Sequence, residues 1–209
     1  MRALDDMVRA GKILYIGVSD TPAWVVARSN TLAELRGWTQ FVALQIEYSL
    51  IERTVERDLL PMARAFDMAV TPWGCLGGGV LTGKYNKDPE AAGRAKQLGR
   101  ITERGLEIGK TVVEVADETG YSPSQVALGW VRQQPGVVLP IIGAKTAPQL
   151  EDNLKSLDVN LSAEHLTKLN EVSKIDLGFP HDFLSRPQVR TIAFGGTYDS
   201  IDNHRTSGV

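Results

Sequence analysis

Leu139 to Leu154, LPIIGAKTAPQLEDNL, opens as a short apolar run, passes through a loop of small residues and enters a stretch that carries Gln149 and Asn153. An apolar run without polar alternation is the pattern of a strand buried on both faces. The unit is therefore strand, loop, helix, with a helix expected near Pro148 to Ser156. What decides the fold is whether that unit repeats.

It does. Working back through the chain, Met68 to Trp73 (MAVTPW), Phe41 to Leu50 (FVALQIEYSL) and Ile13 to Val18 (ILYIGV) read as further strands. Helices are expected over Thr54 to Phe66 and from Thr21-Pro22 to about Leu35, with Thr21 as N-cap and Pro22 in the first helical position. After Trp73 comes a long glycine-rich insertion, then helices near Arg104 to Thr119 and Ser122 to Gln134. A helix over Met1 to Ala10, stopped by Gly11, precedes the first strand, and one capped by Ser162 follows the last. The order βαβαβαβα implies a parallel sheet covered by helices, either a doubly wound open sheet or a (β/α)₈ barrel.

Composition bounds the function. The 209 residues are 43% hydrophobic and 23% charged, which suits a folded globular chain, and no stretch approaches the roughly 20 apolar residues of a membrane span. The formal charge of −2 supplies no basic field for nucleic acid or an acidic membrane surface. Cys75 is the single cysteine, which excludes an internal disulfide framework and suits a reducing cytoplasm. A cytoplasmic location without nucleic-acid or membrane partners is expected.

The strand ends narrow the chemistry. None carries G-x-G-x-x-G opening a helix, as a Rossmann site requires. Gly78, Gly83 and Lys84 come close to a P-loop, but Tyr85 stands where a Ser or Thr must hold magnesium. In a barrel, chemistry gathers at the C-terminal strand ends, here Ser19-Asp20, Gln45 to Tyr48, Trp73 to Leu76 and Gly143 to Lys145. Taken singly, Ser19 or Asp20 reads equally as a helix cap, Gln45 as a strand-edge residue, Trp73 as a core aromatic and Lys145 as a solvated charge. His165, His181 and His204 have no partner at a telling spacing, so neither a metal site nor a Ser-His-Asp triad is expected.

Four ordered motifs, RALDDMVRAGKILYIGVSD, LQIEYSLIERTVERDLLPMA, VTPWGCLGGGVLTGKY and LPIIGAKTAPQLEDNL, resemble the second half of an aldo-keto reductase, an NADPH-dependent (β/α)₈ enzyme. The resemblance runs to about Leu177. It implies an α/β fold that is a partial (β/α)₈ TIM barrel, roughly strands 5 to 8 with their helices, over 1–177, and a tail over 178–209 with room for partial disorder.

The resemblance further implies that Ser19, Asp20 and Gln45 meet the nicotinamide carboxamide and that Trp73 stacks on its ring. The backbone of Gly74, Cys75, Leu76 and Gly77 would wrap the pyrophosphate, and Gly143, Lys145, Gln149 and Asn153 would bind the adenosine and its 2′-phosphate. Asp20 departs from the family's Asn, and a carboxylate accepts but cannot donate. The family's catalytic Asp, Tyr, Lys and His fall in the half that has no counterpart here, so NADP(H) binding without turnover is expected. A half-barrel would also expose strand edges and an apolar inner face, which implies self-association or a complementary half. The remaining readings are a non-catalytic NADP(H)-binding or regulatory module that assembles with a partner, and an unrelated α/β protein holding another phosphate ligand.

Overall fold

The computed structural model describes residues 1–202. Helix α1 (Arg2–Arg9) leads into β1 (Ile16–Ser19), α2 (Ala23–Arg36), β2 (Phe41–Glu47), a 3-10 turn over Thr54–Glu56, α3 (Leu59–Ala65) and β3 (Ala69–Trp73). A long excursion follows, through a 3-10 segment (Gly77–Thr82) and the short α4 (Lys84–Lys87) and α5 (Arg94–Gln97). Then come α6 (Glu103–Thr119), α7 (Pro123–Arg132), α8 (Ala147–Leu154), α9 (Ala163–Ser173), and the short α10 (His181–Leu184) and α11 (Pro187–Phe194). No helix among the described residues is long and apolar enough to cross a membrane.

The three strands form a parallel sheet in the order β1-β2-β3. Sequential order with a helix at each crossover is the arrangement that a (β/α) barrel requires.

The expected fourth strand is present only in part. Val137 to Ile142 lies beside β3, with a parallel bridge between Val70 and Val138. Val70 N–H donates to Val137 O (2.8 Å), Leu139 N–H to Val70 O (2.8 Å) and Ile141 N–H to Pro72 O (2.7 Å). Pro72 has no N–H to return to Leu139, and Pro140 has none to offer on the other edge, so the ladder loses a rung and no regular strand forms. The first strand is likewise shorter than expected. Ile13 to Tyr15 stay outside it, Leu14 and Tyr15 are exposed, and a register shift at Ile16/Gly17 leaves Val42 as the extra residue.

One face of the sheet is covered. Ile16, Leu44, Ile46 and Val70 are buried there beneath Val26, Ala63, Ile108, Val112, Val126 and Trp130. Two polar devices fix this layer. Asn30 of α2, fully buried, accepts from Phe41 N–H (2.9 Å) and donates to Phe41 O (3.0 Å), which pins the start of β2. Arg53 forks onto Glu56 (2.8 and 3.0 Å), donates to Ser173 Oγ (2.7 Å) and lies 5.1 Å from the Trp130 ring, whose indole N–H donates to Asn170 Oδ1 (3.0 Å). The start of β2's helix is thereby tied to α7 and α9.

Candidate cofactor site

The opposite face of the sheet is open, and its contents follow from register. Side chains alternate along a strand, so paired residues in a parallel sheet share a face. Gly17, Ala43 and Ala69 form one row, Ser19, Gln45 and Thr71 the next, and Glu47 and Trp73 the last. Continuing across the Val70–Val138 bridge, Val137, Leu139 and Ile141 extend these rows and are exposed. The expected apolar inner face is thus apolar mainly on this last segment and at Trp73. Elsewhere on the three strands it is small or polar, because these side chains face no helix layer.

Ser19 and Gln45 are exposed at the C-terminal ends of β1 and β2. Asp20 follows in a positive-φ conformation (46°), where Asp and Asn are among the more tolerated non-glycine residues, and its N–H donates to Gln45 O (3.3 Å). Thr21 does not cap α2 as expected. Its hydroxyl turns back to Ser19 O (2.9 Å), and Pro22 precedes the helix without a side-chain cap. Neither Ser19 nor Asp20 caps that helix either.

Trp73 is half-buried, and its carbonyl accepts from Tyr48 N–H (3.2 Å). Beyond it the chain makes a tight turn in which Gly77 N–H donates to Gly74 O (2.7 Å), with φ of 72° at Gly74 and 58° at Gly77. An added Cβ at Gly74 would also sit 3.1 Å from Glu47 Oε1, a tight contact from which the Glu47 side chain would have to shift. Cys75 is buried and donates to Pro72 O (3.3 Å); burial pushes its thiol up to about 12, so only its backbone is available to a ligand. Leu76 packs against the core.

Two basic side chains not among the expected site residues stand on the excursion that follows this turn. Arg100 pairs with Glu47 (2.8 Å) and straps the excursion to the end of β2. Burial raises the Glu47 carboxyl above its ordinary range; Arg100 opposes that, and Glu52 and Asp20 add to it. Lys84 donates to Ala92 O (3.1 Å) and lies 4.7 Å from the Tyr85 ring. Lys84 could have been found from its place after the glycine run, whereas Arg100 and Glu47, 53 residues apart, carry no spacing signal.

At the end of the fourth segment, Gly143 and Lys145 are exposed in a loop held by α8. Thr146 caps the helix, Gln149 Oε1 accepts from Lys145 N–H (2.9 Å), and Asn153 Nδ2 donates to Gly143 O (3.5 Å). Asn153 is buried in the last turn of α8. Its amide and that of Gln149 hold the loop; the exposed Lys145 side chain makes no hydrogen bond or ion pair among the described residues. Asp152, between them, accepts from Ser122 Oγ (2.8 Å) and Gln125 Nε2 (2.7 Å), the capping-box residues of α7.

The donor set suits a nicotinamide cofactor: exposed amide and hydroxyl groups in register, a half-exposed indole, a glycine turn, a basic loop, and Gly17, Ala43 and Ala69 leaving space over the sheet. Among the described residues no cluster of His, Cys, Asp and Glu could hold a metal. His165 does touch Ser162 Oγ (3.0 Å) and Glu118 (3.4 Å), but that hydroxyl caps α9, and the contact is a surface cap. His204 lies outside the described residues. Three tyrosines lie near the strands and the glycine-rich excursion. Tyr15 is exposed ahead of β1, and Tyr48 donates to Glu56 (2.7 Å) with burial raising its phenol. Tyr85 is buried in α4, and its hydroxyl has no partner among the described residues.

Known proteins resemble the chain along most of its length. It is 35% identical over 190 residues to the probable aryl-alcohol dehydrogenase AAD4 of Saccharomyces cerevisiae, covering 88% of this chain and 58% of that protein. It is 36% identical over 184 residues to the norsolorinic acid reductase stcV of Emericella nidulans, covering 88% and 47%. To norsolorinic acid reductase A of Aspergillus parasiticus it is 33% identical over 184 residues, covering 88% and 46%. The chain spans about half the length of the curated relatives it matches. Residues 1–174 match the model of the aldo/keto reductase family, whose members generally use a nicotinamide cofactor. The chain belongs to the aldo/keto reductase family.

Proposed function

We propose that residues 1–177 are the cofactor-binding half of an aldo/keto reductase barrel, strands 5 to 8 with their helices, and that 178–209 form a tail. The observation that carries this is the open sheet face, on which Ser19, Gln45 and Thr71 stand in register beside Trp73 at the C-terminal strand ends. Ser19, Asp20 and Gln45 orient the carboxamide, Trp73 covers one side of the ring, and the Gly74 to Gly77 turn brings backbone close to the pyrophosphate. Lys145, on the loop held by Gln149 and Asn153, faces the adenosine phosphate.

When bound, NADPH supplies hydride for reduction of an aldehyde or ketone to an alcohol; the name of the aryl-alcohol dehydrogenase relative favours an aromatic substrate. This chain orients the cofactor and shields one ring face, while the proton donor belongs to the complementary half. Proton donation is worth about 10²–10⁴-fold, so the chain alone turns over little. A second reading, an NADP(H)-binding or regulatory module that assembles with a partner, is favoured by the exposed Val137, Leu139 and Ile141 on the same open face. That edge suits either self-association or a complementary half-barrel.

NADPH titration of the purified chain, followed by tryptophan fluorescence, tests the reading. Saturable quenching that is lost in Trp73→Ala, with no oxidation of NADPH by a generic aldehyde, is expected. Turnover at an ordinary enzymatic rate would place the proton donor within this chain and defeat the half-barrel account.

A further inference from the structure

We propose that Asp20 biases this site toward the oxidised form of the nicotinamide cofactor, whose ring is positively charged, over the neutral reduced form. The inference rests on the cofactor reading above and concerns its selectivity. Its basis is which charges at the strand ends are balanced and which are not.

Asp20 and Glu52 both lie close enough to Glu47 to act on its carboxyl. Glu47 is matched by the Arg100 guanidinium at 2.8 Å. Glu52 is engaged by the backbone N–H of Thr54 (2.9 Å) and by the Thr54 hydroxyl. The Asp20 carboxylate makes no hydrogen bond or ion pair among the described residues, and the residue is exposed.

Its backbone is nevertheless fixed beside the candidate ring site, because its N–H is held by Gln45 O at 3.3 Å in a positive-φ conformation. An Asn there would have the same shape but no charge and would add an N–H donor; the carboxamide it faces is the same in both redox states, so the ratio of the two affinities reports the charge. The pyrophosphate and 2′-phosphate carry the same charge in both redox states. Asp20 therefore acts on the difference between the two affinities through the ring alone. Exposure to solvent screens the attraction and limits it to a modest factor.

The test is titration of the purified chain with NADP⁺ and with NADPH, for the unmodified protein, Asp20→Asn and the control Asp6→Asn on exposed α1. Circular dichroism checks that each variant is folded, and Asn tolerates the positive φ at this position. Asp20→Asn is expected to shift the ratio of the two dissociation constants by about three- to tenfold toward NADPH, less at high salt, while Asp6→Asn leaves it unchanged. An unchanged ratio in Asp20→Asn, with both cofactors still bound, overturns the inference and leaves the cofactor site standing. An equal shift in Asp6→Asn also overturns it, since the effect would then be one of overall charge. Binding of neither cofactor removes the cofactor reading, and this inference with it.

Discussion

The two faces of one small sheet are built to different ends. Leu44, with no exposed surface, and Gln45, exposed, are consecutive residues of β2, yet the first stands under the helix layer and the second at the open strand ends. On the covered side, side chains are chosen for volume, and loss of a methyl group is felt at once. On the open side they are small or hydrogen-bonding, and their removal leaves little cavity. Stability and the proposed cofactor recognition are thus separated by a single step along the strand.

That separation gives its sharpest test at this pair. Leu44→Ala is expected to cost about 3 kcal/mol of unfolding free energy through a cavity under the helices. Gln45→Ala should cost less than about 0.5 kcal/mol in urea unfolding while weakening NADPH binding severalfold. If the two variants lose stability equally, the open face is core after all.

A smaller effect is expected at Arg53, on the covered side. Its guanidinium is largely buried (12% exposed), and Arg53→Met strands the Glu56 carboxylate (21% exposed) and removes the bond to Ser173. A loss of about 2–3 kcal/mol follows, below the usual range for a fully buried pair, because Glu56 keeps the Tyr48 hydroxyl. Chemical denaturation with NADPH titration in parallel measures both, and binding should be nearly unchanged.

The smallest effect is an acid one at the rim of the helix layer. The Thr39 backbone N–H, with the Thr39 hydroxyl and Arg9, holds the Asp5 carboxyl below its ordinary value against the cost of burial. A depressed carboxyl stabilises the fold above the unfolded value of 3.8 and loses that contribution as pH falls through the lower folded value. Thermal unfolding between about pH 5 and pH 2.5 should show a shallower acid decline for Asp5→Asn than for the unmodified chain.

Much of this architecture was legible in the sequence. Apolar runs of the right length marked β2 and β3, and Ser162 as a cap marked the start of α9 because local hydrogen bonding determines it. The fourth strand was overread: an apolar run reports burial, but regular pairing depends on N–H groups that Pro72 and Pro140 lack. Thr21 was misread as a cap because spacing does not say which way a hydroxyl turns. The strand-end residues were legible through their order along the chain. The Arg100–Glu47 strap was not, because it is made by folding between distant segments, and neither was the task of Gln149 and Asn153 in holding their own loop.

The position of Asp152 has a consequence for how the basic loop meets whatever it binds. Helix α8 is braced on one flank by the N-terminal cap of α7 and grips its own preceding loop with the residues on either side of Asp152. Lys145 is therefore presented on backbone that is already ordered. An anion arriving there need not freeze a wandering segment, and the entropic penalty that weakens recognition by slack loops is largely avoided.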